Sequence, residues 1–321
     1  MKDVRKIELH LHLEGAAPPD FIRALASRKG GDVPAIFDAK GHYDYSNFSE
    51  FLQVYEAATA VIQTPEDYGS LLRDVLERSA EQGVIYTELF VSPEFCGGGD
   101  LVAWRDYLGA MEEVARQMRP DIDSRAILTA VRHFGPERAR NTAICAAETA
   151  GAWVTGFGMG GAESFGTATD FAWSFDCARE AGLGLTCHAG EWGGPQSIRD
   201  ALALGISRIG HGARAIDDPE LVRQLVHDGI TLEVCPGSNL VLGIWPTWSE
   251  HPIARLMDAG VRVTVSTDDP PFFHTTMTRE YEMLAATFGW AEDEFAQINR
   301  WAADAAFCDE HTRQKLRKDV A

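Results

Sequence analysis

The chain has 321 residues, 45% of them apolar, which is enough to bury one large core. Its net charge of −19 argues against a surface built for nucleic acid or an anionic membrane, and suits a small neutral or cationic partner. No apolar run reaches the roughly 18 residues of a membrane span, and the opening MKDVRKIELH has no signal-peptide character, so a cytoplasmic protein is expected.

Short runs rich in Val, Ile, Leu and Thr recur along the chain, separated by helical patterns. The first, KIELHLH (6–12), carries His10 and His12. A long connection, 15–83, separates it from the next strand. Within it, YSNFSEFLQVYEAATAVI sets Phe48, Phe51, Leu52 and Tyr55 on one helical face. That face either packs on the body of the protein or forms a lid that places Phe51 and Tyr55 against a substrate. The helical stretch DYGSLLRDVLERSAEQG stops at Gly83, the usual C-terminal glycine. Strands are then predicted at 84–92, 124–133, 153–159, 184–188, 207–211, 230–235 and 261–267. Another helix, PELVRQLVHDG, ends at Gly229. Eight strands alternating with helices predict a (β/α)8 TIM barrel. We expect a single domain over 1–321, with a lid-like helical insertion at 15–83 and C-terminal helices from about 277 to 321. Six cysteines (Cys96, Cys145, Cys177, Cys187, Cys235, Cys308) lack any C-x-x-C pairing and read as reduced, mostly buried thiols. Cys96, beside three glycines, is expected to be the more exposed.

Side chains alternate along a strand, so His10 and His12 share a side. On the first strand of a barrel that side can be the interior. Two imidazoles there repel if charged and are wasted if unpaired, and a metal resolves both problems. Other strand ends carry similar groups: His188 in LTCHAGE, His211 in RIGHG, and Asp268 and Asp269 in VSTDDP. Each alone is weak, because a strand histidine is commonly a hydrogen-bonded core residue and DDP is commonly a turn. Together, on strands one, five, six and eight, they converge on one rim. Imidazoles with a carboxylate suit Zn2+, although iron, cobalt or manganese fits the same set. His42, His133, His227, His251, His274 and His311 show no such register and read as structural, with His274 a candidate for the rim.

The motifs ELHLHLEGA, HAGE, RIGHG, CPGSN and STDDP, in this order from residue 7 to about 274, resemble those of the adenosine deaminase family of metal-dependent amidohydrolases. The resemblance implies a hydrolytic deaminase with one metal held by His10, His12, His188 and Asp268. It implies that Glu191 shuttles a proton at purine N1, and that His211 orients and helps deprotonate a metal-bound water. Asp269 would contact N7, the Gly161 N–H would contact N3, and Glu14 would reach the ribose 5′-hydroxyl. The physical logic agrees: deaminating an amidine carbon needs hydroxide on one face and a proton on the ring nitrogen.

Other chemistries on such a barrel find less support. No lysine lies between Lys40 and Lys315, so a carboxylated lysine cannot bridge two metals on the fourth strand. The P-C-x-x-C of the cysteine-ligated deaminases is absent, as are G-x-S-x-G and Walker loops. Departures from the resemblance concern the ribose side: Glu14 stands where Asp is usual, Gly158 where many relatives carry Asp, and Ala162 follows Gly161. RIGHG and CPGSN lean toward nucleosides. The expected substrate is therefore adenosine or 2′-deoxyadenosine, with adenine or another N6-bearing purine behind it. A catalytically silent purine-binding relative is the alternative of a different class. No nucleic-acid or membrane partner is expected, and oligomeric state is open.

Overall fold

A computed structural model describes residues 1–31 and 35–320. Eight parallel strands run in chain order around the molecule: β1 (Lys6–His12), β2 (Val84–Val91), β3 (Asp123–Val131), β4 (Val154–Gly160), β5 (Gly184–Ala189), β6 (Arg208–His211), β7 (Thr231–Val234) and β8 (Arg262–Val265). The sheet closes just beyond β8. Asp268 donates its N–H to His10 O at 3.1 Å and accepts from His12 N–H at 3.0 Å. The result is the expected (β/α)8 barrel. All eight strands fall within a residue or two of their predicted positions, because strands covered on both faces read as continuous apolar runs.

Helices wrap the outside. Between β1 and β2 lie α1 (Pro19–Arg28), α2 (Phe48–Thr59) and α3 (Pro65–Glu81). α3 starts on a capping box, in which Thr64 accepts from Asp67 N–H while the Asp67 carboxylate takes the Thr64 N–H. α4 (Leu101–Met118), α5 (Pro136–Glu148), α6 (Ala172–Glu180) and α7 (Pro195–Leu202) connect the strands to β6, and α8 (Pro219–Asp228) leads to β7. α8 is capped by Asp218 and stopped by Gly229 in the left-handed region. α9 (Pro236–Val241) and α10 (Ile253–Asp258) join β7 to β8, and α11 (Met277–Phe288), α12 (Glu292–Ala305) and α13 (Glu310–Asp319) end the chain.

The barrel axis is not purely apolar. Arg208 bonds Glu88 Oε2 and Glu233 Oε1, each at 2.6 Å, and all three side chains are buried. Glu233 continues upward to His10 Nδ1 at 2.8 Å and also accepts from Thr186 Oγ1 at 2.9 Å. Glu88 continues downward to the Tyr86 hydroxyl at 2.8 Å and to the Phe307 backbone N–H. The Phe307 ring lies 3.6 Å from the Arg208 guanidinium and fills the lower opening. It fits because Gly184 has no side chain, since a Cβ there would stand 2.3 Å from the ring. Burying such charges costs less when they stay paired, and here only Arg208 Nη2 of the guanidinium lacks a hydrogen-bond partner. One end of this buried ion column is the strand-one histidine.

All six cysteines are free. Cys96 is fully buried, contrary to expectation, because the three glycines after it turn away while its thiol enters the core against Tyr68. No helix among the described residues is long and apolar enough to cross a membrane.

Candidate metal centre and active site

The C-terminal ends of the strands carry the site. His10 and His12 both point inward from β1. The His10 ring packs 4.4 Å from His188, 4.5 Å from Phe90 and 4.9 Å from His211. His12 Nε2 lies 3.1 Å from His188 Nε2 and 3.3 Å from Asp268 Oδ1, and His10 Nε2 lies 3.4 Å from the same oxygen. His211 and Asp268 adopt positive φ of 61° and 65°, a strain on the order of 1–3 kcal/mol each that the surrounding structure must hold.

These distances fit a shared cation. Two ligands about 2.1 Å from one ion at a tetrahedral angle stand roughly 3.4 Å apart. The hydrogen bonding fits as well. His10 donates its Nδ1–H to Glu233, leaving Nε2 a buried lone pair with no donor beside it. It faces a carboxylate oxygen, which has no proton to offer. Although burial works the other way, the imidazoles of His10, His12 and His211 gathered around it keep Asp268 well below the usual carboxylate range. Its second oxygen accepts from Ser238 Oγ at 2.7 Å. His188 is held neutral by burial and by the neighbouring imidazoles. His10, His12, His188 and Asp268 could therefore hold a divalent ion, with Glu233 fixing the His10 tautomer from behind.

Around this cluster His12, Glu14, Phe51, Tyr55, Gly161, His188, Glu191, His211, Asp268 and Asp269 line one cavity of about 80 Å³. Every residue assigned a metal, proton-transfer or substrate role from the sequence borders it except His10, which lies beneath. Burial, then the charges of Asp268, Glu163 and Asp269, push the Glu191 carboxyl well above its usual range. Asp269 is pushed up by burial and by Asp268, and its Oδ1 has no hydrogen-bond partner. Burial likewise raises Glu14 to about 7, and its Oε1 accepts from Ser92 N–H at 3.3 Å and the Tyr68 hydroxyl at 3.4 Å. Gly15 makes room for Asp269, as a Cβ would fall 1.6 Å from Oδ1. The arrangement sets carboxyls pushed toward their protonated form and a candidate cation site around one cavity, groups suited to proton-assisted attack on an aminated ring.

Several contributors were not singled out by sequence. Glu163, in the loop after β4, accepts from the backbone N–H groups of Gly190, Glu191, Trp192 and Gly193 at 2.6–3.1 Å, and from the Ser197 hydroxyl. One carboxylate thus organises the loop that presents Glu191. Ser238 and Asn239 belong to CPGSN, just past β7, where the strand-end rule that found His188 could have found them. His133, read as structural, borders the cavity and joins Glu56 of α2 at 3.2 Å. His274 is exposed and packs on His42 in an outer cleft, away from this cavity.

The adenosine deaminase family model matches residues 5–321. The chain is 46% identical over 315 residues to an adenine deaminase of Rhizobium leguminosarum bv. trifolii (strain WSM2304), covering 98% of each. Its fold superposes with a TM-score of 0.90 on an adenine deaminase from Arthrobacter aurescens, at 28% identity and covering 99% and 98% of the two chains. A zinc-bound amidohydrolase from Burkholderia ambifaria matches with a TM-score of 0.85 at 25% identity, covering 99% and 90%. A match this long, on a barrel whose mouth gathers the histidines and carboxylates described above, places the chain in one group: it belongs to the adenosine deaminase family of metal-dependent amidohydrolases.

Proposed function

We propose that the protein hydrolyses adenine to hypoxanthine and ammonia with one zinc ion. The sequence puts adenosine and 2′-deoxyadenosine first and adenine second; the relatives' names favour the reverse order. The observation that carries the choice is the cavity. Its space for roughly six waters, at the ~10–15 Å³ each centre needs, accommodates a purine ring, and the groups at its far end make the choice. Glu14, one methylene longer than Asp, occupies the ribose side with Ser92, whose hydroxyl has no partner.

When bound at His10, His12, His188 and Asp268, the metal supplies an attacking oxygen deprotonated near neutral pH. The chain's own groups do the rest. Glu191 gives a proton to ring N1, which makes C6 electrophilic. Asp269 meets N7, and the Gly161 N–H meets N3. Glu14 and Ser92 read the N9 edge. His211 orients the incoming oxygen over C6. The C6–O bond forms, the remaining proton of the attacking oxygen passes to the amine, and the C6–N bond breaks to release ammonia and leave the C6 carbonyl; the proton first taken from the water restores Glu191. Phe51 and Tyr55 of α2 cover the ring and exclude water.

The test is turnover of adenine, adenosine and 2′-deoxyadenosine by metal-replete protein, followed by ultraviolet shift and ammonia release. We expect adenine to lead in kcat/KM. Preference for adenosine would overturn the substrate choice. No turnover of any aminopurine would leave a silent purine binder.

A further inference from the structure

His211 stands with the metal-binding imidazoles, close enough that His10, His188, His211 and Asp268 each offer a ligand atom within 4.8 Å of the others. Its hydrogen bonding differs from that of His10. A chain of three bonds runs back from it into α10. The backbone N–H of Ile253 donates to His251 Nδ1 at 3.3 Å. His251 Nε2 meets Asn239 Oδ1 at 3.1 Å, and Asn239 Nδ2 meets His211 Nδ1 at 3.4 Å. His251, Asn239 and His211 are all buried.

The direction of this chain is fixed at its far end. A backbone amide can only donate, so His251 Nδ1 must accept. A neutral His251 then carries its proton on Nε2 and gives it to Asn239 Oδ1. The amide must turn its NH2 toward His211, so His211 Nδ1 accepts and the proton of the neutral ring sits on Nε2. That nitrogen is the one facing the site, 3.8 Å from Glu191 Oε1 and 3.9 Å from Asp268 Oδ2. His10 shows the opposite polarity: its Nδ1 gives a proton to Glu233, so its Nε2 is a lone pair.

We propose that His251 and Asn239 are positioning residues that lock His211 as the Nε2–H tautomer, making it a hydrogen-bond donor to the attacking oxygen rather than a metal ligand or a base. The proposal builds on the deaminase reading above. It also separates two imidazoles that lie side by side: the group behind each ring, Glu233 or Asn239, decides whether it presents a lone pair or a proton.

Ring-nitrogen NMR of the metal-replete enzyme, labelled with 15N-histidine, tests the tautomer directly. His211 signals are assigned by their loss in His211→Asn. We expect a protonated Nε2 and a bare Nδ1. Asn239→Asp offers an acceptor in place of the NH2 and should reverse this pattern while retaining metal. It should lower kcat by roughly 10²-fold or more, as for loss of an acid–base contact, with KM little changed. His251→Phe should weaken the lock and lower kcat less, and His251→Gln, which keeps a donor toward Asn239, should restore most of it. A wild-type His211 protonated on Nδ1 overturns the proposal, even if Asn239→Asp fails to fold. So does an unchanged ring pattern and kcat in His251→Phe. The NMR result stands apart from the choice of substrate, so failure of adenine turnover would leave it interpretable.

Discussion

At the scale of single residues, the proposed chemistry needs carboxyl groups held toward their protonated form by burial and by a neighbouring carboxylate. Glu191→Gln keeps shape and loses the acid. We expect metal content at wild-type level and turnover reduced roughly 10²–10⁴-fold, measured by elemental analysis and steady-state rates. A normal rate would reduce Glu191 to a loop residue near the start of α7. The side chains that gather at the candidate site were legible in the sequence because they sit at strand ends in short motifs. Glu163 and His251 were not. Each acts through another side chain or loop, and their partners lie 12 to 34 residues away with no fixed spacing to betray them. Cys96 misled for a related reason: neighbouring glycines report local backbone freedom, not the direction a thiol takes.

At the scale of elements, α2 packs against the barrel mouth and lines the cavity with the same face. Its Phe51 ring packs 5.4 Å from Phe272 and 5.3 Å from Phe273, in the loop just after Asp269. The preceding segment is fastened to the same loop, with Tyr43 stacked 3.8 Å on Phe272 and the Tyr45 hydroxyl donating to Phe272 O at 2.6 Å. Yet Phe48, Phe51, Leu52 and Tyr55 also line the cavity. Truncating Phe51 and Tyr55 to Ala together should raise KM for adenine about tenfold or more, given ~1.5–3 kcal/mol per buried apolar side chain, and change kcat less. Equal KM in the double variant would make α2 packing alone. The strands were legible as apolar runs and the helices from caps and glycine stops. The sequence could not say which face of the 15–83 insertion looks inward, because an apolar stripe reads the same against a core or a substrate.

For the whole molecule, buried titratable groups set the response to acid. Burial lowers His251 to about 3. Between that value and the unfolded ~6.5, the unfolded chain binds the extra proton, so this group's contribution is complete above about 6.5 and is lost as pH falls toward 3. Buried Glu8, Glu14 and Glu280, raised to about 7, act in the opposite direction above ~4.5, because there the folded chain holds more protons. Wild type and His251→Gln should therefore diverge below pH 6.5. The wild type should lose up to about 1.4 kcal/mol more per pH unit in denaturant midpoints converted to free energy. Parallel curves would show that His251 titrates normally.

Phe307 has a consequence that reaches the far end of the barrel. Its backbone holds Glu88 and its ring shields Arg208, and through Glu233 those charges set the proton on His10. Cutting the polypeptide just ahead of Phe307 would uncork the base and let solvent wet the axial ions. A shortened protein loaded with a divalent metal should then surrender it to a chelator sooner than the intact one, though all four candidate ligands are still present.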